Sequence, residues 1–168
     1  MIELLQYTDT FQDEMLQRIA DFYQFHASLF DAPMESPEGS YQDSLETLET
    51  WRRPSHELYL IQYQNETAGF LHLSRRGENV AWIEDIYVDT AFRNRGVATQ
   101  AIRLAQDRLR ADPNITAVCF DVVPRNTAAL RLYHKLGYDS LSLLTVRKEF
   151  YENKRDKTQN LLGLEFKY

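Results

Sequence analysis

Phe11, Met15, Ile19, Phe22, His26 and Leu29 recur at steps of three and four, which predicts a helix packed by one face against a sheet. Pro33 and Pro37 interrupt this pattern. SYQD, which opens at Ser40, has the Ser and Asp spacing of a capping box. With Leu45 and Leu48 continuing on one side, it predicts a second, shorter helix ending near Pro54. The period then changes. ELYLIQY, TAGFLHLSRR and VAWIEDIYVD are separated by the turn-prone QNE and RGEN and predict a run of antiparallel strands. Val97, Ala101, Leu104, Ala105 and Arg108 share one track of a helix expected from Gly96 to Arg110, closed by Asp112-Pro113-Asn114. Beyond it, ITAVCFDVV predicts a buried strand and NTAALRLYHKL a helix that turns off at Gly137. LSLLTVRKEF and LLGLEFKY predict a final strand pair, with the polar ENKRDKTQN as an exposed connection. Helices before, within and after a run of strands predict one mixed α/β domain over residues 1–168.

Composition narrows the function classes. Apolar residues make up 43% and charged residues 26%, with only six glycines and five prolines, which is the balance of a folded globular chain. The net charge of −6 weighs against broad contact with nucleic acid or an anionic membrane and favours cationic partners. Cys119 is the sole cysteine, which rules out an intrachain disulfide and a cysteine-cluster metal site. Lying within AVCFDVV, it reads as a core side chain. His26, His56, His72 and His134 lack a short ligand spacing, so no metal is expected and each reads as a packing or surface residue. No apolar run has bilayer length, and MIELLQYTDTFQDE lacks the order of a secretory signal, so a cytoplasmic location is expected.

RNRGVAT follows an expected strand and opens an expected helix. On its residues alone it is either an ordinary basic helix entry or an anion site where backbone amides and the helix dipole converge on phosphate. It lacks the glycine triplet of a dinucleotide fingerprint and the Gly-Lys-Ser/Thr ending of a P-loop. Its Arg93-x-x-Gly96-x-Ala98 resembles motif A of the GCN5-related N-acetyltransferase superfamily. VCFDVVPRNTAALRLYHKLGYD resembles the second signature, with Asn126, Ala129, Leu132, Tyr133 and Gly137 at matching positions. The two signatures together span Trp82 to Asp139.

That resemblance implies an acyl-CoA N-acyltransferase fold, with a mixed central sheet, flanking helices and splayed parallel strands. It also implies acetyl-CoA as cosubstrate and direct acetyl transfer to a primary amine. Carried over residue by residue, Ile86, Tyr87 and Val88 present backbone groups along the pantetheine arm. Arg95, Gly96, Val97, Ala98 and Thr99 surround the diphosphate, and Arg93 joins Arg95 at its edge. Asn126 stands where the family often supplies a polar contact to the arm, and its place before TAAL equally fits a helix cap.

The implied reaction needs a proton acceptor and a proton donor. An amine of pKa near 10.4 is neutral in only about one molecule in a few thousand at pH 7, a penalty of roughly 4–5 kcal/mol. The resemblance assigns Tyr133 as the acid that meets the departing thiolate, with Tyr138 the less favoured substitute. It assigns Glu84 as the base or as a ligand of base-side water, while Asp85, or water alone, stays open. Strand alternation would send Glu84 and Asp85 to opposite faces unless a bulge intervenes. The favoured acceptor is a small cationic or polyamine-like amine, with a peptide or protein amine or an antibiotic left open. Its wall is expected from residues 20 to 56, where Tyr23 and Tyr41 lie but no diagnostic motif does. A homodimer fits the family, though no interface is legible. The competing reading is a coenzyme-A-binding regulatory or interaction domain without transfer chemistry.

Overall fold

β-Branched and aromatic runs pair in register to build a five-stranded sheet of order β1-β2-β3-β4-β5. Its strands are β1 (Ile2–Gln6), β2 (His56–Tyr63), β3 (Glu66–Arg75), β4 (Val80–Val88) and β5 (Ala117–Cys119). The first four are antiparallel neighbours, and β5 lies parallel to β4. This computed structural model describes residues 1–30, 36–151 and 155–168. They form two compact units, Met1–Asp121 and Val122–Tyr168. The interruption expected at Pro33 lies outside the described residues, as does the start of ENKRDKTQN.

In the first unit, α1 (Gln12–Ser28) and α2 (Pro37–Trp51) share a core with one face of the sheet. Met15, Leu16, Ile19 and Phe22 from α1 and Leu48 and Trp51 from α2 meet Leu58, Leu60, Phe70 and Tyr87. Strand alternation sends Tyr59, Ile61, Leu71, Leu73, Ala81 and Ile83 to the other face, where they are buried. On that face α3 (Val97–Arg110) buries Val97, Ala101, Ile102, Ala105 and Leu109, and its Arg108 reaches Glu57 at 3.1 Å and covers the Tyr59 ring.

Three local expectations are corrected. The helix α2 opens at Pro37, which sits at its first position where a missing N–H costs nothing, and Ser36 caps it by accepting from the Gly39 amide at 3.2 Å. Ser40 therefore lies inside the helix and is buried. The strand expected from ITAVCFDVV shrinks to Ala117–Cys119, because pairing with β4 stops at Trp82↔Cys119, and Cys119 is half-buried. β1 was not expected at all. Only Ile2 of its five residues is buried, so its identity comes from pairing with β2 and not from a local pattern.

Two extra residues kink the sheet. Ala68 is unpaired on β3 between Ile61↔Gly69 and Gln62↔Thr67, and Glu84 is unpaired on β4 between His72↔Asp85 and Leu73↔Ile83. Beside the first of these, a Cβ on Gly69 would overlap the Tyr87 carbonyl. Gly69→Ala is expected to lower stability by about 1–3 kcal/mol through forced separation of β3 and β4, read as a drop in the denaturant midpoint; an unchanged midpoint contradicts this packing.

In the second unit, α4 (Thr127–Lys135) starts at Asn126, whose side chain accepts from the Ala129 amide at 3.2 Å, and stops where Gly137 adopts φ 90°. The closing strand pair differs from expectation. β6 (Thr158–Leu161) and β7 (Leu164–Lys167) form a hairpin inside the last segment, and LSLLTVRKEF forms no strand. Leu162 and Gly163 both take positive φ, 53° and 79°, the two-residue turn that matches strand twist, and this local closure pairs TQNL with LEFK.

Candidate active site

The strand-to-helix junction has the geometry of an anion cradle. β4 has a strand partner on its β5 side only from Val80 to Trp82, so among the described residues the edge from Ile83 to Val88 is unpaired there. Backbone groups of this stretch that face away from β3, other than the Val88 carbonyl, which accepts from Arg93, are available for an extended ligand. A 3-10 turn, Thr90–Phe92, then carries the chain to Gly96, the N-cap of α3 at φ 78°. No side chain caps this helix, and the first helical bond runs from the Gln100 amide to the Gly96 carbonyl at 3.0 Å. The amides of Val97, Ala98 and Thr99 therefore point out of the helix end with its positive dipole. Gly96 is required for its left-handed backbone. A Cβ there meets nothing within 4 Å, so the space beside its Cα is open. These features fit a coenzyme A diphosphate.

The two arginines of the loop differ. Arg95 is exposed, with its guanidinium 5.9 Å from the Phe92 ring centre. Arg93 turns inward, donates from Nε to the Val88 carbonyl at 2.9 Å and lies over the Phe25 and Tyr87 rings at 4.9 and 5.4 Å. It braces the loop against β4 and α1.

The bulge at Glu84 changes the reading of the acidic pair. With an extra residue at this point, Glu84 and Asp85 both turn toward the α1/α2 face instead of opposite faces, as their partners show. Ser74 Oγ donates to Glu84, and His72 Nδ1 meets Asp85 Oδ2 at 2.8 Å, while Ser74 and His72 alternate on one face of β3. Arg76 engages both Glu84 oxygens, from Nε at 2.8 Å and from a terminal nitrogen, and also reaches Asp121 at 2.9 Å while stacking over Trp82. Burial pushes the Glu84 carboxyl up, but Arg76 and Ser74 outweigh it and hold the group below the usual carboxylate range. Asp85 keeps Oδ1 without a hydrogen-bond partner among the described residues, on a side chain 20% exposed.

Two histidines that the sequence placed in packing roles complete a row. His72 is 2% exposed, stacks on Trp51 at 4.3 Å, and joins Asp85 through Nδ1 and His56 Nδ1 through Nε2 at 2.7 Å. The signal for this row was present in the chain: a hairpin turning at Gln64-Asn65 brings His56 opposite Ser74, two pairs from His72 and on the same face. Beyond Asp85 stand two α1 residues that feel its charge, Tyr23 and His26. Tyr23 bonds Thr47 of α2 at 2.9 Å. Burial holds the His26 imidazole below its ordinary value, and Asp85 opposes that shift. Tyr41, the other aromatic expected near an acceptor, is exposed.

Of the remaining expected residues, Asn126 is a helix cap, and Tyr133 lies on α4 with its ring 6.3 Å from that of Tyr138. Both belong to the second unit.

Residues 13–138 match the Acetyltransferase (GNAT) family, and the chain belongs to it. Solved structures share the fold. A putative acetyltransferase, YycN, from Bacillus subtilis superposes with a TM-score of 0.65 at 19% identity, covering 90% of this chain and 100% of that one. The aminoglycoside N-acetyltransferase AAC(6')-Iy in complex with CoA gives 0.60 at 22% identity, covering 92% and 95%. A ribosomal-protein-alanine N-acetyltransferase from Brucella melitensis biovar Abortus 2308 gives 0.64 at 13% identity, covering 88% and 100%. No curated protein matches the sequence. Among the described residues no helix is long and apolar enough to cross a membrane.

Proposed function

We propose that the protein transfers an acetyl group from acetyl-CoA directly to a primary amine, and that the acceptor is small and positively charged. The observation that carries this reading is the unpaired β4 edge leading into the uncapped N-terminus of α3, with two carboxylates at the bulge on the same strand. The family match runs from residue 13 to residue 138, which supports a single N-acetyltransferase domain over residues 1–168. The solved aminoglycoside enzyme binds CoA, which supports the same cosubstrate here.

Acetyl-CoA supplies an acetyl group activated as a thioester. The backbone of Ile86, Tyr87 and Val88 lines its pantetheine arm, while the amides from Gly96 to Thr99 and the exposed Arg95 hold its diphosphate. Arg93 fixes the loop through Val88. Asn126 adds a contact to the arm beyond its capping bond. Tyr133 protonates the departing thiolate, a role that rests on the second family signature. Glu84 serves in this reading as a ligand of base-side water, a role supported by its engaged oxygens and lowered proton affinity. Net charge and the shared face of Glu84 and Asp85 support a cationic acceptor.

A panel of amines incubated with acetyl-CoA, followed by thiol release and product mass, tests this. The reading expects coenzyme A release matched by an acetylated product, fastest for small cationic amines. Binding of acetyl-CoA without transfer to any amine would instead indicate a coenzyme-A-binding regulatory domain.

A further inference from the structure

We propose that Arg18 of α1 and Asp89 are positioning residues of the coenzyme site: their ion pair fixes where the chain leaves β4, and so sets the spacing between the β4 edge and the amides that open α3. The proposal rests on the acetyl-CoA reading of that junction, since one molecule must reach both ends of it. Asp89 is the first residue after β4. Its N–H donates to the Ala68 carbonyl at 2.8 Å and its carbonyl accepts from the Phe92 amide at 2.8 Å, so its backbone turns the chain out of the sheet. An aspartate at the start of a helical turn ordinarily caps it. Here the side chain makes no capping bond and reaches α1 instead, where Oδ2 accepts from Arg18 at 3.0 Å.

Arg18 ties three elements at one point. The terminal nitrogen that meets Asp89 also donates to the Thr67 carbonyl of β3 at 2.8 Å, beside the extra residue Ala68. The other terminal nitrogen donates to the Glu14 carbonyl, one turn back in α1, at 3.0 Å. The same helix holds the far end of the segment. Phe25 follows Arg18 by about two turns on the same face and lies under the Arg93 guanidinium at 4.9 Å. One face of α1 therefore grips the chain at Asp89 and again at Arg93, just before Gly96 opens the cradle.

Stability alone does not account for this pair. Arg18 Nε and Asp89 Oδ1 are both buried and lack hydrogen-bond partners among the described residues, so the contact is one bond short of a two-pronged pair. Burial pushes the Asp89 carboxyl above its ordinary value, which Arg18 opposes, Asp21 adds to and Arg93 opposes. A largely buried ion pair with orphaned atoms adds little net stability over apolar residues of the same size, but it admits few geometries for its partners. Acetyl-CoA gains from that restriction: a loop already held in its bound shape loses less freedom when the diphosphate arrives.

The test uses Arg18→Met, Asp89→Ala and the double variant in the full chain, at a temperature where each is fully folded, so that a lowered stability does not enter the affinity. Calorimetry with acetyl-CoA should show each single variant binding about five- to tenfold more weakly. The double variant should match the poorer single one within about twofold, because either change releases the same clamp. KM for acetyl-CoA should rise in step while kcat at saturation stays within about threefold, since neither side chain touches a reacting atom. Acetyl-CoA affinity within about twofold of wild type in either single variant, or losses that multiply in the double variant, overturns the proposal and leaves the pair a part of the fold alone. Should Arg18→Met not fold, Asp89→Ala, which leaves the sequence of α1 intact, decides by itself. A wild-type protein that does not bind acetyl-CoA overturns the cofactor reading instead.

Discussion

Tyr133→Phe is expected to lower kcat by about 100-fold, the low end of the 10²–10⁴ range for a positioned proton donor. The low end applies because a thiol leaves with a pKa near 8.5, so its thiolate departs without a full proton transfer. Phenylalanine keeps the ring that faces Tyr138 at 6.3 Å and removes only the hydroxyl, so helix α4 and its stability should survive. Acetyl-CoA affinity should be little changed. A donor group acting on the leaving sulfur also predicts that the deficit shrinks for acetyl thioesters of more acidic thiols, which need less assistance. Single-turnover rates with two such thioesters check this. A kcat within twofold of wild type, or a deficit independent of the thiol, removes Tyr133 from the acid role.

Gly96→Val should weaken acetyl-CoA binding by about 10- to 100-fold. A β-branched residue at φ 78° costs about 1–3 kcal/mol, and the chain escapes that cost by unwinding the first turn of α3, which removes the amides that would meet the diphosphate. Steric conflict within the protein is not the cause, since a Cβ at this position meets nothing within 4 Å. Asn tolerates the left-handed region, so Gly96→Asn should retain most of the affinity that Val loses if backbone conformation is the issue. Equal loss in both variants would show instead that the ligand itself presses against the Cα. Calorimetry on the three proteins distinguishes the cases, and full affinity in Gly96→Val contradicts the cradle.

Much of the fold was legible because its elements carry strong local patterns. The helix from Val97 to Arg110 follows its periodic track closely, and the three antiparallel runs became β2, β3 and β4. Gly96 and Gly137 stood out as glycines between patterned segments, and both adopt positive φ. What escaped is non-local. β1 exists because β2 offers an edge, and the final hairpin exists because Leu162 accepts a positive φ that its side chain does not advertise. The cap of α2 was misplaced because Ser40 and Ser36 are both plausible caps, and Pro37 decides for the earlier one.

The site was legible in the same uneven way. The RNRGVAT loop was readable as a candidate anion site because its chemistry is carried by backbone and by a contiguous motif. The acceptor side was not, since it depends on a single extra residue. Ordinary alternation separates Glu84 from Asp85, and only the bulge at Glu84 brings both to one face with His72 and Ser74. No residue in IEDIYV announces a bulge. Once the bulge is present, the histidines that looked like isolated packing residues form a hydrogen-bonded row across three strands.

The most direct test of the cradle is hydrogen exchange on the wild-type protein with and without saturating acetyl-CoA, resolved to peptides covering residues 83–88 and 95–100. The account predicts slower exchange in both peptides, with the amides of Val97, Ala98 and Thr99 among those protected. Saturated binding that leaves both peptides unchanged would contradict it.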